Sequence, residues 1–568
     1  MKKEYTDMHN YTLSHLTAID GVGRILPEIS GYKSDRKVGL FYFLWHGLHN
    51  PGSTVRNATE LLKTNYEDLF DRDPQNSLVP KDAWLHVSEP LYGYYHSMDE
   101  WVMRKHIELF IAAGLDFVTF DFTNGFYYDK PLENFLKILR SYKDAGWKVP
   151  QVSFYLWIKG NELAHRLLDE VYTNEAYKDL VFCTGSGKPL LIGSIEMDAC
   201  NFGELLDQEI LDYFDVRQSD VCFGRDSDVL WPYWQFKRDW KVYTDMVNVS
   251  SAQAGNAFSF AYEPAEPPYS NEVHGRGWSS SHPSNGDAAA ILRGENAQEG
   301  WDNAIAKDPE MIFVCGWNEW VVQKCFLPDG MPHYTDNFSV EFSRDIEMLK
   351  NATFVEGEDG TYVQEGFGDN FYMQLAYNIR KFKGLAGQDA IAAPTAIDIY
   401  GDLAQWDAVK GKYLALSTEK EARQAPGFYD GLVYTQAAPE NVIESAQVAH
   451  DGQNVYFKIT AKKNIETDVR VLIGVEDSAQ TNWCGFNYVV KGKELSNFAS
   501  EVVGAVSRDV RENVLQIAVP RDLLGISKDG FKLTFKVTMG VDKEGDILDY
   551  YVSGEVFPVG RYAYSYRG

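Results

Sequence analysis

The six cysteines of this 568-residue chain, at 183, 200, 222, 315, 325 and 484, form no CxxC pair and have no histidines at metal-ligand spacing. A disulfide-framed scaffold and a zinc module are thereby excluded. No GxGxxG follows the first strand-like run and no GxxxxGK[ST] occurs, so the glycine loops that cradle nucleotide phosphates are missing. No apolar run reaches membrane-spanning length, and the N-terminal Met1-Lys-Lys-Glu-Tyr-Thr-Asp7 has no apolar core. These absences predict a cytoplasmic chain with no membrane partner. Positive charge is scarce as well: 54 Lys and Arg face 82 Asp and Glu, a formal charge of −28. Nucleic acid and anionic surfaces would be repelled.

Aromatic residues are plentiful, 14% of the chain with 14 Trp, 34 Tyr and 32 Phe. Such an excess suits clefts that stack on sugar rings, although large cores also absorb Tyr and Phe. Eight apolar runs of strand length recur, at 37–46, 116–124, 149–157, 189–196, 214–217, 229–234, 246–253 and 311–320. Helical patterns lie between them: Asp99–Gly114 has an acidic start and a Gly stop, and Leu132–Gly146 repeats the design. Strands buried on both faces and alternating with helices predict an α/β fold, a (β/α)₈ TIM barrel, with a doubly wound open sheet as the alternative. The barrel is expected over 1–385, a small, Pro-containing linker over 386–395, and an antiparallel β-sandwich over 396–568, where alternating β-branched strands dominate.

A barrel gathers the C-terminal ends of its strands at one face, where barrel enzymes work. Those ends supply Trp45 and His46, Asp121 and Asn124, Tyr155 and Trp157, Glu196, Trp231 and Trp234, Gln253, and Trp317, Asn318 and Glu319. Carboxylates interleaved with indoles and amides fit carbohydrate chemistry: the carboxylates move protons, the amides grip hydroxyls and the indoles stack on sugar faces. Two carboxylates and water suffice for glycosidic cleavage, so no cofactor and no metal are expected.

The segment Gly316-Trp-Asn-Glu-Trp320 resembles the Asn-Glu-Trp motif of glycoside hydrolase family 99 and the related family 71. Family 99 comprises endo-α-mannosidases and mannanases, and its motif continues to a second catalytic Glu three residues on. Here Glu319 matches the first and Val322 stands at the second, so the family's mechanism does not transfer whole. Phe41-Tyr-Phe-Leu-Trp-His-Gly47, Glu89-Pro-Leu-Tyr-Gly-Tyr-Tyr95 and Asp336–Asp345 are similar to bacterial family 99-like or 71-like proteins across most of 20–385. Asp398–Trp406 and Val448–Phe457 resemble family 9 carbohydrate-binding modules.

The reading is a glycoside hydrolase acting on an oligosaccharide or glycan, with Glu319 and Glu196 as the favoured catalytic carboxylates and Asp121 in reserve. The bland alternatives are a Glu196 that caps a helix and an Asp121 held in a turn with Asn124. Asn318 is expected to bind a substrate hydroxyl, and one of Trp317 and Trp320 to be core, because strand neighbours alternate faces. Glu89, with Tyr92, Tyr94 and Tyr95, suits a subsite wall or a packed loop. The insertion Ala254–Pro283 carries Glu263, Glu266, His274, Arg276 and Trp278. It reads as a lid, with Arg276 facing an anionic substituent or fixing the loop. Asp336 and Glu341 are weaker candidates, with Arg344 as their counter-ion. The rival from another class is a non-catalytic carbohydrate-binding protein on a degenerate barrel, kept alive by Val322.

Overall fold

The computed structural model describes residues 7–197, 201–221, 227–234, 238–253, 274–284, 287–326, 330–334, 339–356, 362–385, 391–466 and 468–568. All eight strand-like runs form parallel strands of one sheet: β1 (Lys37–Tyr42), β2 (Phe117–Phe122), β3 (Gln151–Leu156), β4 (Leu190–Gly193), β5 (Asp215–Ser219), β6 (Leu230–Trp231), β7 (Met246–Ser250) and β8 (Met311–Trp317). They pair in the order β6-β5-β4-β3-β2-β1-β8-β7, so the first strand lies between the second and the last. An open doubly wound sheet would reverse its order once. This order winds round, as a barrel does. Between β6 and β7 the ring is bridged by a side chain, Asn248 Nδ2 donating to the Pro232 carbonyl at 2.9 Å.

The strands are apolar throughout because both faces are covered. Every residue of β2, β7 and β8 is buried. Phe41, Phe313, Trp231 and Tyr155 fill the barrel interior, with Phe41 and Phe313 centroids 6.2 Å apart and Trp231 and Phe313 5.4 Å apart. Gly39 admits the Phe117 ring, which a Cβ at that position would meet at 2.1 Å. Helix α1 (Glu100–Ala113) starts where Asp99 accepts from the Val102 amide and stops at Gly114, which takes the left-handed φ of 78° that favours glycine. Helix α2 (Asp129–Asp144) covers the second helical pattern, and a further helix, α3, spans Asn370–Lys383.

The C-terminal region is an antiparallel sandwich. One sheet has five strands, ordered 412–414, 443–450, 454–461, 514–520 and 507–511. The other is built on 532–539 and 469–475. Phe535 lies between the sheets, 5.0 Å from Tyr413 and 5.6 Å from Phe457 by ring centroid. Several features bind this region to the barrel, among them the following two. The N-terminal strand Leu16–Thr17 pairs with Ala563 and Tyr564. A hairpin, Arg423–Pro426 with Val433–Gln436, docks on the connection that follows β1. There the Arg423 guanidinium meets Asp99 at 2.7 Å, and the Tyr434 hydroxyl accepts from the Tyr94 amide at 2.7 Å.

No helix among the described residues is long and apolar enough to cross a membrane. Cys183, Cys315, Cys325 and Cys484 are free thiols; Cys200 and Cys222 lie outside the described residues.

Candidate active site

The turn that ends β8 is fixed from three sides. Asn318 adopts a left-handed φ of 61°. Its side chain clamps the backbone of Phe43, with Oδ1 accepting from the Phe43 amide at 2.9 Å and Nδ2 donating to the Phe43 carbonyl at 3.0 Å. The Asn318 carbonyl accepts from His46 Nε2 at 2.7 Å. Trp320 is fully buried, and its indole N–H donates to Glu347 at 2.8 Å. Between these anchors Glu319 turns the other way, its side chain 12% exposed and paired with Arg344 at 3.1 Å.

Two expectations are corrected here. The Asn318 amide is fully engaged by the β1 backbone, and therefore does not offer itself to a substrate hydroxyl. Both tryptophans are core: Trp317 is wedged against His106, Phe110 and Tyr372 on the outer side of β8, while Trp320 packs 4.5 Å from the His46 ring. The alternation of a strand does not separate them, because β8 ends at Trp317 and a turn intervenes.

Around Glu319 the strand ends converge. Arg344, itself almost wholly buried, lies over the Trp234 ring at 3.8 Å and the Tyr233 ring at 5.4 Å. Tyr233 leans on Phe41 and Tyr155, at 5.3 and 5.7 Å. Asp121, on the inward face of β2 with Phe117 and Thr119, is 3% exposed. Its Oδ1 accepts from the Thr123 amide at 3.0 Å and the Thr123 hydroxyl at 2.7 Å. Burial pushes the Asp121 carboxyl above the ordinary carboxylate range, with Thr123, Trp45 and the positive field of Arg344 acting the other way. Arg344 thus acts on two carboxylates from two strands. The spacing also assigned Arg344 to Asp336 and Glu341; Asp336 lies outside the described residues.

The other expected site residues divide. Trp45 lines the mouth, stacked on His46 with ring planes 7° apart. His46 is fully buried, burial lowers its pKa to about 3, and its Nε2 serves the β8 turn. Tyr155 is engaged within the fold, donating to the Trp231 carbonyl at 2.7 Å and accepting from the Asp220 amide at 2.8 Å. Trp231 is barrel core. Gln253 is buried and accepts from Arg238 at 2.9 Å. Arg276 is fully buried, donating to the Val340 carbonyl at 2.7 Å and the Ser343 hydroxyl at 2.9 Å, with its guanidinium over Phe367 and Phe371. These contacts are those of the loop-fixing alternative. Trp278 stacks near His274, 4.0 Å away, and under Arg238 at 4.3 Å. The rest of that insertion, 254–273, lies outside the described residues. Glu89 pairs with Lys350. Asn124 is exposed, 3.5 Å from Asp121, and Trp157 is half-buried at the rim. Glu196 is exposed two residues past Ser194, its backbone N–H donating to Gln218 at 2.9 Å.

Tyr233, Asp220 and Glu347 belong to this neighbourhood and are absent from the sequence-based list. Tyr233 and Asp220 each sit just past a strand end, a position the barrel reading makes meaningful. Among the described residues no group of three or more His, Cys, Asp or Glu side chains is arranged to hold a metal ion.

No protein-family model matches this chain. No curated protein does either. Among solved structures, two of the GH99 endo-alpha-mannosidase from Bacteroides thetaiotaomicron are similar. The first, in complex with bis-tris-propane, is 14% identical, covers 61% of this chain and 98% of that one, and has a TM-score of 0.36. The second is 13% identical, covers 62% and 99%, and has the same TM-score of 0.36. A likeness so distant adds nothing to what the strand order and the mouth geometry establish.

Proposed function

We propose that the protein is a glycoside hydrolase whose working carboxylates are Glu319 and Asp121. What carries the reading is the Arg344-centred cluster, in which a carboxylate from the end of β8 and one from the end of β2 share a single guanidinium among Trp45, Trp234 and Tyr233. The two differ as an acid and a base should. Asp121 is buried and raised in pKa, which suits proton donation to a leaving oxygen; Glu319 is ion-paired, which suits a nucleophile or a base. Glu196, exposed on the rim, is displaced from the pair by Asp121 in this reading. The aromatic walls supply stacking faces for a sugar ring.

A specific observation favours the binding-protein alternative. Val322, where the family 99 motif has its second Glu, is fully buried in a strand paired with Leu85, so no carboxylate stands at that place. A screen of α- and β-linked oligosaccharides, read by released reducing sugar, separates the two readings. Hydrolysis by the wild type that Glu319→Gln abolishes supports the enzyme. Sugar binding by calorimetry without any turnover supports the binding protein.

A further inference from the structure

Behind the β8 turn, out of reach of the mouth, lies a second carboxylate. Ile346 donates to the Gly316 carbonyl at 3.0 Å, which runs residues 344–347 alongside the end of β8. Arg344 goes to the mouth and Glu347 to the rear. Glu347 is fully buried and meets three donors from three separate elements. Its Oε2 accepts from the Tyr95 hydroxyl and the Trp320 indole, each at 2.8 Å, and its Oε1 faces His106 Nε2 of α1 at 2.9 Å. His106 Nδ1 in turn meets the Tyr42 hydroxyl of β1 at 3.0 Å.

Burial alone does not retain an isolated carboxyl, since an apolar side chain of similar volume is often as stable or more so. What such a group adds is geometry. Trp320 is the immediate neighbour of Glu319, and its ring packs against His46, His86, Tyr95 and Phe428. The hydrogen bond to Glu347 fixes the one polar atom of that ring. With Asn318 already clamped to Phe43, both neighbours of Glu319 are then fixed and only its own torsions remain.

We propose that Glu347 is a positioning residue for Glu319, acting through Trp320, so that the Glu319 carboxylate is held on Arg344 at the mouth. This rests on the reading of Glu319 as a working carboxylate. The charge state of the rear network is consistent with the role. Burial lowers the His106 pKa to about 3, so the ring is neutral and one nitrogen donates. Burial raises the Glu347 carboxyl to about 8, with Tyr95 and Trp320 opposing it, and the neighbouring Asp345 is raised too, first by burial and then by Glu347. With or without its proton on Oε1, Glu347 presents Oε2 to Trp320 and Tyr95; the His106 tautomer adjusts. The titratable groups around it are Tyr42, Tyr92, Tyr95, His106 and Asp345.

The test uses the full chain with Glu347→Leu, Glu347→Gln and Trp320→Phe. Gln keeps a carbonyl acceptor for Trp320 and Tyr95, whereas Leu removes it and Phe removes the donor. Crystal structures of the three should show the Glu319–Arg344 contact of 3.1 Å kept in Glu347→Gln and lost in the other two. On the oligosaccharide identified by the screen, Glu347→Leu and Trp320→Phe should lower kcat about 100-fold with little change in KM, and Glu347→Gln should restore it. Glu319 remaining on Arg344 with undiminished kcat in both disruptive variants would overturn the proposal. If the wild type turns over nothing, the hydrolase reading fails by itself, and the three structures still decide the positioning. If Glu347→Leu does not fold, Trp320→Phe, which leaves Glu347 two of its three partners, carries the same test.

Discussion

Asp116 stands just below β2 at the bottom of the barrel, and Asp121 stands near its top. Both are buried, but their surroundings are opposite. Asp116 meets Lys383 at 2.5 Å and Lys148 at 3.2 Å, and accepts from the Val38 amide at 2.9 Å. Burial acts to raise its pKa, but the two lysines outweigh it and hold the carboxyl below the ordinary range. Asp121 has no lysine; it shares the field of one arginine with Glu319 and is held above that range. Arg217 of β5 pairs with both Asp215 and Asp245; Asp215 is held below the ordinary range, while burial holds Asp245 above it. At Asp116 the charge is neutralised locally. At the upper end Asp121 is held above that range, and it is this difference that the proposed function draws on.

The largest expected effect that separates the two ends is on turnover. Glu319→Gln and Asp121→Asn should each lower kcat by about 10²–10⁴-fold, the range for loss of a general acid or base, and Asp116→Asn should leave kcat unchanged. Equal losses in all three, measured on the identified oligosaccharide, would erase the distinction.

On stability the order reverses. Asp116→Asn leaves Lys383 buried without its charge partner and should cost about 3–5 kcal/mol in urea unfolding. Asp121→Asn removes a buried charge whose pKa is raised, and should stabilise by about 0.5–2 kcal/mol, the usual gain when an active-site compromise is relieved. A destabilising Asp121→Asn would mean that its Thr123 bonds outweigh the burial of its charge.

The smallest effect is the pH dependence, and its sign also differs between the ends. Asp116, lowered in the folded state, contributes stability that is present above the ordinary Asp pKa of about 3.9 and is lost as pH falls through its lower folded value. Asp121 and Glu347 are raised, so their contributions are present below the ordinary carboxylate values and are lost as pH rises toward the folded ones, about 8 for Glu347. Unfolding curves from pH 4 to 8 should therefore show Glu347→Gln flattening the alkaline decline, and curves below pH 4 should show Asp116→Asn flattening the acid one.

The eight strands were legible because parallel strands covered on both faces are written as short, uninterrupted apolar runs, and each run here overlaps one strand. The cap at Asp99 and the stop at Gly114 were legible because helix ends carry their own residue types. The hairpin 423–436 was not, because its anchors, Arg423 on Asp99 and Tyr434 on the Tyr94 amide, are partners more than 300 residues apart in the chain. The contact of Arg344 with Glu319 was not legible for a similar reason. It meets Glu319, 25 residues earlier in the chain, and local spacing carries no sign of that pairing.

The sequence by itself determined the barrel, the sandwich and the place of Glu319, since each follows from local periodicity or from a residue type at a strand end. Which polar and aromatic side chains are engaged within the fold and which face the mouth was decided only by tertiary structure. Asn318, Arg276, Tyr155 and both indoles of the β8 turn have the composition of a binding site, yet they hold the fold together. A buried donor or acceptor must find a partner wherever the chain places one, and that partner is a property of the packed molecule.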